Sequence, residues 1–297
     1  MRADHSGGLT TRHLAFLLLI NLIWGFNLIA SKTGVSEFPP IFFTTLRFGI
    51  VALLSWPMLR FFPGQMLRLL LAATLVGAGQ FTLLFLGLHL VKDISVVAIA
   101  TQLGVPFTTL LSVWLLGEVI HWRRKLGIVL AFAGIVAMSF DPNVFAYWPG
   151  LLLVVISCFV GSLGLIFIKQ LKSVGAMQMQ AWLAVGSMPI LLAFSLLFEQ
   201  GQWHAMHQAS WIAWCALLFT AVMSSMVAHS GMFYLVSRYP VTTVSPLTLL
   251  SPIFSIIFGV TLLHDRLTAR LLVGGAITLI GVFIVAAREQ KMVDTGT

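Results

Sequence analysis

Long apolar runs alternate with short polar or basic segments along almost the whole chain. Each run is about 18 to 25 residues long, the length that an α-helix needs to cross the hydrocarbon core of a bilayer. Charged residues, Pro or Gly bound the runs. The pattern predicts an all-α polytopic membrane protein with ten spans, near residues 13–35, 40–61, 66–90, 94–116, 122–140, 149–170, 177–199, 210–235, 241–263 and 268–288.

Composition indicates that lipid surrounds these runs. Hydrophobic residues make up 59% of the 297 positions and charged residues 9%, whereas a soluble domain carries roughly 25% charged residues. Cys158 and Cys215 lie inside apolar runs, so we interpret them as small buried hydrophobes and not as a disulfide framework. The connections are too short for a catalytic domain outside the membrane.

The first run also imitates a secretory signal peptide, because Arg12 precedes the apolar residues 14–23. Polar residues interrupt this run, and it continues to about Val35, which is long enough to span. We therefore expect it to be retained as the first span.

Basic residues indicate the orientation of the chain. They form short clusters at the ends of runs and do not follow one face, so the net charge of +8 does not predict a nucleic-acid partner. If the N-terminus is cytoplasmic, twelve of the seventeen basic residues lie on the inner side, four lie outside and Arg47 lies within a span. The pattern predicts a bacterial-type inner membrane protein with both termini cytoplasmic.

The two halves of the chain match each other in sequence. Most matches fall at offsets of 146 or 147 residues, and a weaker one at 137 pairs Lys32 with Lys169. Chance recurrence of Gly and Pro is the alternative explanation, but acidic and basic matches keep the same order. The matched pairs are Lys92–Arg238, Pro106–Pro252, Leu110–Ile256, Leu116–Leu263, Glu118–Asp265, Gly127–Gly274 and Gly134–Gly281.

This repeat predicts a mechanism as well as an architecture. We expect a tail at 1–12, a first five-helix repeat at 13–140, a second at 149–288 and a tail at 289–297. Because five is odd, the second repeat must enter the membrane from the opposite side. Inverted repeats around a central cavity are typical of secondary transporters that work by alternating access. The seven-residue spacing of the matched glycines predicts close helix packing.

Known catalytic motifs are absent from the sequence. It contains no GxxxxGK[ST], HExxH, CxxC or GxSxG, so we expect neither an enzyme nor a metal site nor a cofactor. An intramembrane protease would need a pair such as His229 with Ser225 or Ser230, but such neighbours are common in packed membrane helices.

All nine acidic residues fall in tails, loops or span ends, so no carboxylate is predicted at mid-membrane. Proton coupling would then depend on His229 or His89. A facilitator or an exchanger is equally compatible with the sequence. Arg47 is the one firmly charged residue well inside a span. Arg47 could attract a carboxylate in the cavity. The favoured alternative is a structural role, in which its side chain snorkels or satisfies backbone carbonyls of neighbouring helices.

Prolines predict breaks in two spans. Pro106 and Pro252 are matched positions of the two halves, and Pro246 adds a second break to the ninth span. Such breaks mark either hinges and binding sites or merely tolerated prolines.

Mostly neutral polar residues and aromatic walls are available to the cavity. This lining suits a partly apolar ligand with a few hydrogen-bonding ends, although any one residue serves interhelical packing equally well. The predicted substrate-binding residues are Trp24, Asn27, Gln80, Phe85, Thr101, Gln102, Ser162, His229 and Tyr234.

Several short motifs carry a resemblance to a known family. They are Trp24-Gly25 with Asn27, Arg47, Pro106 before Leu116-Gly117-Glu118, Pro252 before Leu263-His264-Asp265, and Gly274 with Gly281. Over residues 13–288 the chain resembles EamA-type carriers of the drug/metabolite transporter superfamily, and within it the YddG-type exporters known for aromatic amino acids. The resemblance implies a ten-helix inverted-repeat basket that exports amino acids or related metabolites. The second half departs from the pattern, with His264-Asp265 for Gly-Glu and no Trp-Gly in the sixth helix.

The sequence predicts a secondary transporter that exports small amphipathic metabolites, with neutral or aromatic amino acids as the leading hypothesis. Its expected partners are a small-molecule substrate and the lipid bilayer, with a monomer as the working state. An exporter of a purine or a cationic drug is the first alternative, although cationic substrates normally require a buried carboxylate. A polytopic membrane enzyme is the second.

Overall fold

The computed structural model of the chain describes residues 10–117, 119–171, 174–239 and 244–287. Regular structure in these ranges is entirely helical, so the all-α prediction is confirmed. The long helices are α1 Thr11–Glu37, α2 Pro40–Met58, α3 Met66–Leu90, α4 Ile94–Leu116, α5 Trp122–Ser139, α6 Trp148–Lys169, α7 Ala176–Phe198, α8 in the consecutive segments Trp211–Leu218, Phe219–Ala228 and His229–Arg238, α9 Leu250–Leu263 and α10 Ala269–Ala287. Two short helices, Pro142–Phe145 and Gln202–Gln208, lie in the connections.

Eight of the described helices are long and apolar enough to cross a membrane. The other two long helices are α5, which begins with three basic residues at 123–125, and α9, whose apolar stretch is the shorter Leu247–Leu263. The predicted count of ten spans therefore stays a prediction. We call the end of the bundle where α1 begins the near face and the end where α1 finishes the far face.

Carboxylates cap helix starts at the far face. A helix begins with backbone N–H groups that have no partner inside the helix, and an anion beside them is stabilising. Glu199, after α7, accepts hydrogen bonds from the N–H groups of Ile41 and Phe42 at 2.7 and 2.8 Å. Glu37, at the end of α1, accepts from the N–H and the hydroxyl of Ser210 at 2.6 and 2.7 Å. Each half thus supplies the cap for a helix of the other half.

The same face carries three further contacts of this kind. Asp265 accepts from both the N–H and the hydroxyl of Ser95 at 2.7 Å, at the start of α4. Asp141 accepts from the hydroxyl of Thr268, next to the start of α10. The hydroxyl of Tyr147 donates to Asp93 at 2.6 Å. Burial and this hydrogen bond both raise the pKa of Tyr147. Carboxylates of the far face therefore hold loops and helix ends together.

Helical irregularities recur at the offset that the sequence repeat predicts. A π-helical segment occupies Ala73–Gln80 in α3 and another occupies Phe219–Ala228 in α8, starting 146 residues later. A 3₁₀ turn precedes each of the matched prolines, at Thr101–Leu103 and at Ser245–Leu249. π-Segments of this kind are rare and often lie at functional sites. The repeat thus extends from residue type to backbone conformation.

Two matched positions end α4 and α9 in the left-handed conformation. Gly117 has φ 69° and its counterpart His264 has φ 59°. Glycine adopts this conformation without strain, whereas a residue with a Cβ adopts it rarely. His264 thus adopts the same left-handed conformation as Gly117, although it stands where the family pattern has glycine.

Helix packing follows one pattern in both halves. Helix α1 packs on α8 and α9, and α6 packs correspondingly on α3 and α4, while α2 pairs with α7, α4 with α9 and α5 with α10. Exchanging the halves maps each of these contacts onto another or onto itself. The helix contacts of the two halves therefore correspond to each other.

Glycines make the α5–α10 contact very close. A Cβ at Gly134 would lie 2.5 Å from the carbonyl oxygen of Gly274, and a Cβ at Gly281 would lie 2.6 Å from that of Gly127. The two backbones therefore touch wherever the matched glycines meet. This contact confirms the packing role that their spacing predicts.

Candidate functional site

A polar and aromatic cluster joins four helices at the middle of the bundle. We call Trp24, Arg47, Phe81, Ser225 and His229 the central cluster. They belong to α1, α2, α3 and α8, and each lies well inside its helix. Because all four helices cross the bundle from one face to the other, their middle residues meet at similar depth. The cluster therefore lies far from both faces.

Arg47 is the charged member of the cluster. Its side chain is 1% exposed, and its Nε and Nη2 groups both donate to the hydroxyl oxygen of Ser225, at 3.1 and 3.0 Å. The guanidinium carbon lies 4.8 Å from the centre of the Phe81 ring and 5.7 Å from that of Phe85. Within the described residues, Nη1 has no hydrogen-bond partner. No backbone carbonyl of the described residues accepts a hydrogen bond from Arg47. The hydrogen bonds to backbone carbonyls that the sequence analysis favoured are therefore not seen.

Phenylalanine rings form the wall beside Arg47. Phe81 packs edge-on against Phe85 at 5.8 Å and against Phe48 at 5.4 Å, measured between ring centres. Phe85 also contacts Phe43 at 5.5 Å and is fully buried. The negative faces of such rings attract a cation. This wall provides apolar surface directly next to a positive charge.

Trp24 and His229 extend the cluster towards α1. Their rings meet edge-on with centres 5.3 Å apart. The His229 Nδ1 atom lies 2.6 Å from the carbonyl oxygen of Ser224, within the π-helical part of α8. Since a carbonyl oxygen only accepts, Nδ1 carries the proton in this contact. The ring is thereby fixed by the irregular backbone of α8.

Buried polar atoms without hydrogen-bond partners are concentrated around the cluster. Buried polar groups are normally paired, so each unpaired one is a candidate ligand contact. All the unpaired side-chain atoms found in the described ranges belong to α1, α2, α3 and α8. They are Asn21 Oδ1, Trp24 Nε1, Asn27 Oδ1, Ser31 Oγ, Arg47 Nη1, Thr82 Oγ1 and Ser224 Oγ.

A second group of predicted residues lies where α6 meets α3 and α4. Gln80 places its carboxamide against Gly161, where a Cβ would lie 2.1 Å from the Gln80 Oε1 atom. Ser162 donates to the carbonyl oxygen of Gly104 at 3.0 Å. Thr101 donates to the Ala98 carbonyl of its own helix at 2.9 Å. The Ser162 hydroxyl thus links α6 to the backbone of α4, whereas the Thr101 hydroxyl binds the backbone of its own helix.

Three predicted residues remain apart from the central cluster. Tyr234 is 41% exposed and lies with Met177 and Ser230 at a near-face pocket of about 450 Å³. Gln102 is half-buried in the 3₁₀ turn of α4. The side chain of Pro246 is outside the described residues.

The matched prolines lie in the first turn of the regular helix that follows the irregular stretch of α4 and of α9. Pro106 and Pro252 are both buried, and each follows a 3₁₀ turn. Because proline lacks an N–H, neither residue can donate the hydrogen bond to the residue four positions earlier that a regular α-helix makes. The breaks predicted from the sequence therefore coincide with observed changes of helix type.

A pocket of about 600 Å³ opens at the far face, between the ends of α1 and α7. His89 lines it and places Nδ1 2.9 Å from the Val35 carbonyl oxygen. Glu37 and Glu199 also line it, but both already cap helices. Among the described residues no group of three His, Cys, Asp or Glu side chains is arranged to hold a metal ion.

Phe81, Thr82 and Ser31 were not predicted from the sequence. Phenylalanine in an apolar helix and a hydroxyl beside it carry no signal of their own, because such residues are common on lipid-facing and packing surfaces alike. The signal that the sequence did offer was Arg47, a charged residue in the middle of a span. The rings that surround Arg47 could not be identified from the sequence, because their position depends on how the helices pack.

Comparison with known proteins gives the family. A family model described as the EamA-like transporter family matches residues 11–140 and again residues 148–287. A protein of Escherichia coli (strain K12) named a probable amino-acid metabolite efflux pump is 27% identical over 295 residues, covering 94% of this chain and 97% of that protein. One of Salmonella typhimurium with the same name is 28% identical over 281 residues, covering 90% and 92%.

A crystal structure shares the fold, with a TM-score of 0.62 and 18% identity over 95% of this chain and 100% of that one. Together with the apolar helices, the family matches show a multi-pass membrane transporter and not an enzyme. The chain belongs to the EamA-like transporter family.

Proposed function

We propose that this transporter exports small amphipathic amino acids, neutral or aromatic ones first, by alternating access. The observation that carries the proposal is the central cluster, where phenylalanine rings adjoin unpaired donors and acceptors at mid-depth. An apolar wall with a few polar groups suits a ligand that is itself apolar at one end and polar at the other. Relatives named amino-acid metabolite efflux pumps support the same substrate class.

The proposed architecture has ten spans in two inverted repeats. Helices α5 and α9 complete the set, since the basic residues at the start of α5 suit a membrane surface and the 3₁₀ turn lengthens α9. Five spans in each half give the halves opposite directions in the membrane. The double match of the family model, 11–140 and 148–287, and the exchangeable helix contacts support this arrangement.

The near face is proposed to be cytoplasmic, with both termini on that side of a bacterial inner membrane. The basic residues at 123–125 begin α5 at that face, and Arg60 and Arg68 lie between α2 and α3 or at the start of α3. Cytoplasmic loops are enriched in Lys and Arg. In this orientation the far-face caps would close the outer side.

In and next to the central cluster we assign substrate contact to Trp24, Asn27 and Arg47, with Phe81 and Phe85 as the wall. Gln80 is a further candidate, because it adjoins the α6 helix at similar depth. Pro106 and Pro252 are proposed to let α4 and α9 bend as the two halves rock. A cationic substrate is disfavoured, because Arg47 would repel it.

Flux measurement in proteoliposomes tests the proposal. Vesicles loaded with unlabelled Phe or Thr should take up the labelled amino acid by counterflow well above protein-free vesicles. Trp24→Ala should lower this flux severalfold, because it removes one wall of the cluster. Trp114→Ala is the matched control, since Trp114 is 79% exposed on the outside of α4 and its loss should leave flux unchanged. Absence of flux for a full panel of amino acids would refute the proposal.

A further inference from the structure

Arg47 is a buried cation that lacks an anionic partner. Its guanidinium carries five N–H donors, yet the described residues offer it a single acceptor, the Ser225 hydroxyl. That hydroxyl is itself held in place, because it donates to the Thr220 carbonyl oxygen at 3.1 Å. Most of the hydrogen-bonding capacity of Arg47 is therefore unused in this conformation.

Such an arrangement is energetically unfavourable unless something completes it. Removing a charge from water is costly, and an ion buried in a protein normally has a counter-ion or several hydrogen bonds. The carboxylates of Glu199, Asp265 and Glu37 do not pair with Arg47, because they accept hydrogen bonds from backbone N–H groups at the far face. None of them reaches Arg47, whose side chain is 1% exposed. The missing partner is therefore expected to be a mobile anion.

The surroundings of Arg47 define the kind of anion. Phe81 covers the guanidinium at 4.8 Å and Phe85 lies 5.7 Å away, so the anion must carry apolar surface next to its charge. The planar guanidinium fork matches the geometry of a carboxylate, which it binds through two parallel hydrogen bonds. A neutral amide or ester would bring no compensating charge. A monocarboxylate with an adjacent apolar group satisfies both conditions.

We propose that Arg47 binds the carboxylate of the transported solute. The substrates of the transporter are then amphipathic compounds that carry a carboxylate, and amines or amides that lack a carboxylate are excluded. The carboxylate engages Nη1 and competes with the Ser225 hydroxyl for the other N–H groups. Ser225 then acts as a placeholder that keeps the guanidinium oriented when the site is empty. This inference rests on the proposed export of amino acids, and it narrows that function to one anchoring contact.

The π-helical segment of α8 explains how Ser225 can serve in this way. The hydroxyl of Ser225 reaches the carbonyl of a residue five positions earlier, which is the spacing of a π-helix. A neutral hydroxyl is a weaker partner for a guanidinium than a carboxylate. Its contact with Arg47 is therefore strong enough to position the side chain and weak enough to be displaced.

Competition by three ligands tests the inference on the wild-type protein. In proteoliposomes that exchange labelled L-phenylalanine, we compare inhibition by unlabelled L-phenylalanine, by L-phenylalaninamide and by 3-phenylpropionate. The amide keeps the ammonium group and lacks the carboxylate, whereas phenylpropionate keeps the carboxylate and lacks the ammonium group. Phenylpropionate should inhibit about as well as L-phenylalanine, and the amide at least about tenfold more weakly, as expected for loss of a charge-assisted contact.

Variants locate the effect at Arg47. Arg47→Gln should weaken L-phenylalanine binding about tenfold or more and abolish the preference for the acid over the amide. Arg47→Lys should keep part of that preference, since it keeps the charge and loses the fork. Arg68→Gln is the control, because Arg68 is exposed at the near face. Size-exclusion profiles show whether each variant folds. If Arg47→Gln does not fold, the comparison of the three ligands on the wild-type protein and the Arg47→Lys variant test the inference.

The outcomes separate this inference from the proposed function. Equal inhibition by the amide and the acid, with flux intact, would overturn the role of Arg47 and leave amino-acid export standing. A preference for the acid that survives in Arg47→Gln would overturn it as well. No exchange and no ligand-induced thermal stabilisation with any of the three compounds would overturn both.

Discussion

Substitution of Gly134 by alanine should separate α5 from α10. The added Cβ would lie 2.3 Å from Thr278 Oγ1 and 2.5 Å from both the Gly274 carbonyl oxygen and the Thr278 backbone nitrogen. An ordinary Cβ contact is 3.4–4 Å. Two of the three blocking atoms are backbone, so rotating a side chain cannot make room. The helices must move apart by about 1 Å, which forfeits a quarter to a half of the dispersion energy of neighbouring contacts.

Overpacking of this kind costs about 1–3 kcal/mol. For a chain of this size each kcal/mol lowers the melting temperature by about 2–4 °C, so Gly134→Ala should melt about 2–12 °C below its control. The control is Gly49→Ala in α2, where an added Cβ meets nothing within 4 Å. Both substitutions exchange glycine for a better helix former, so the intrinsic gain of up to about 1 kcal/mol cancels in the comparison.

The assay is thermal unfolding of the detergent-solubilised protein, followed by intrinsic fluorescence. Gly281→Ala should behave like Gly134→Ala, because its Cβ would lie 2.4 Å from the Ala131 backbone nitrogen. Equal melting temperatures for Gly134→Ala, Gly281→Ala and Gly49→Ala would refute the close backbone contact.

Further substitutions test the far face and the helix ends. Glu199→Gln removes the charge that caps Ile41 and Phe42 and should lower stability by about 1–2 kcal/mol, measured as the melting temperature against wild type. His264→Gly should raise the melting temperature, since φ 59° strains a residue with a Cβ, whereas Gly117→Ala should lower it. Tyr147→Phe should not change the phenolate absorbance of the folded protein at about pH 10, because burial and Asp93 raise the pKa of Tyr147. Denaturation should release extra phenolate in wild type alone, and wild-type stability should decline above that pH more steeply than that of Tyr147→Phe.

Local features of the sequence predicted the helices and the repeat. An apolar run of sufficient length becomes a helix in lipid whatever its neighbours are, because the backbone must satisfy its own hydrogen bonds there. The offset of 146 residues likewise pointed to paired elements, and the π-segments in α3 and α8 start at that spacing. The seven-residue spacing of Gly127 and Gly134, and of Gly274 and Gly281, predicted close helix packing because only small residues allow it.

The composition of the central cluster could not be read in the same way. Arg47 and Ser225 are 178 positions apart, so their contact depends on how α2 and α8 rotate against each other. The π-segment Ala73–Gln80 adds a further difficulty. Each residue inserted into a helix turns the remainder of that helix by about 100°, so a regular helical wheel misplaces Phe81 and Thr82. Thr101 and Ser162 seemed available to a ligand, but their hydroxyls bind carbonyls of the helix backbone.

The scaffold repeats itself, but the central cluster does not. At the offset of 137 residues that pairs Lys32 with Lys169, Gly49 corresponds to Gly186, whereas Arg47 corresponds to Ala184 and Trp24 to Gly161. The charge and the large ring therefore belong to one half only. In the proposed mechanism the two halves rock around a fixed site, and a solute whose anionic end is held by Arg47 would stay with the first half in both states. Exchanging the conformations of the halves would then open the opposite face without requiring the solute to turn around.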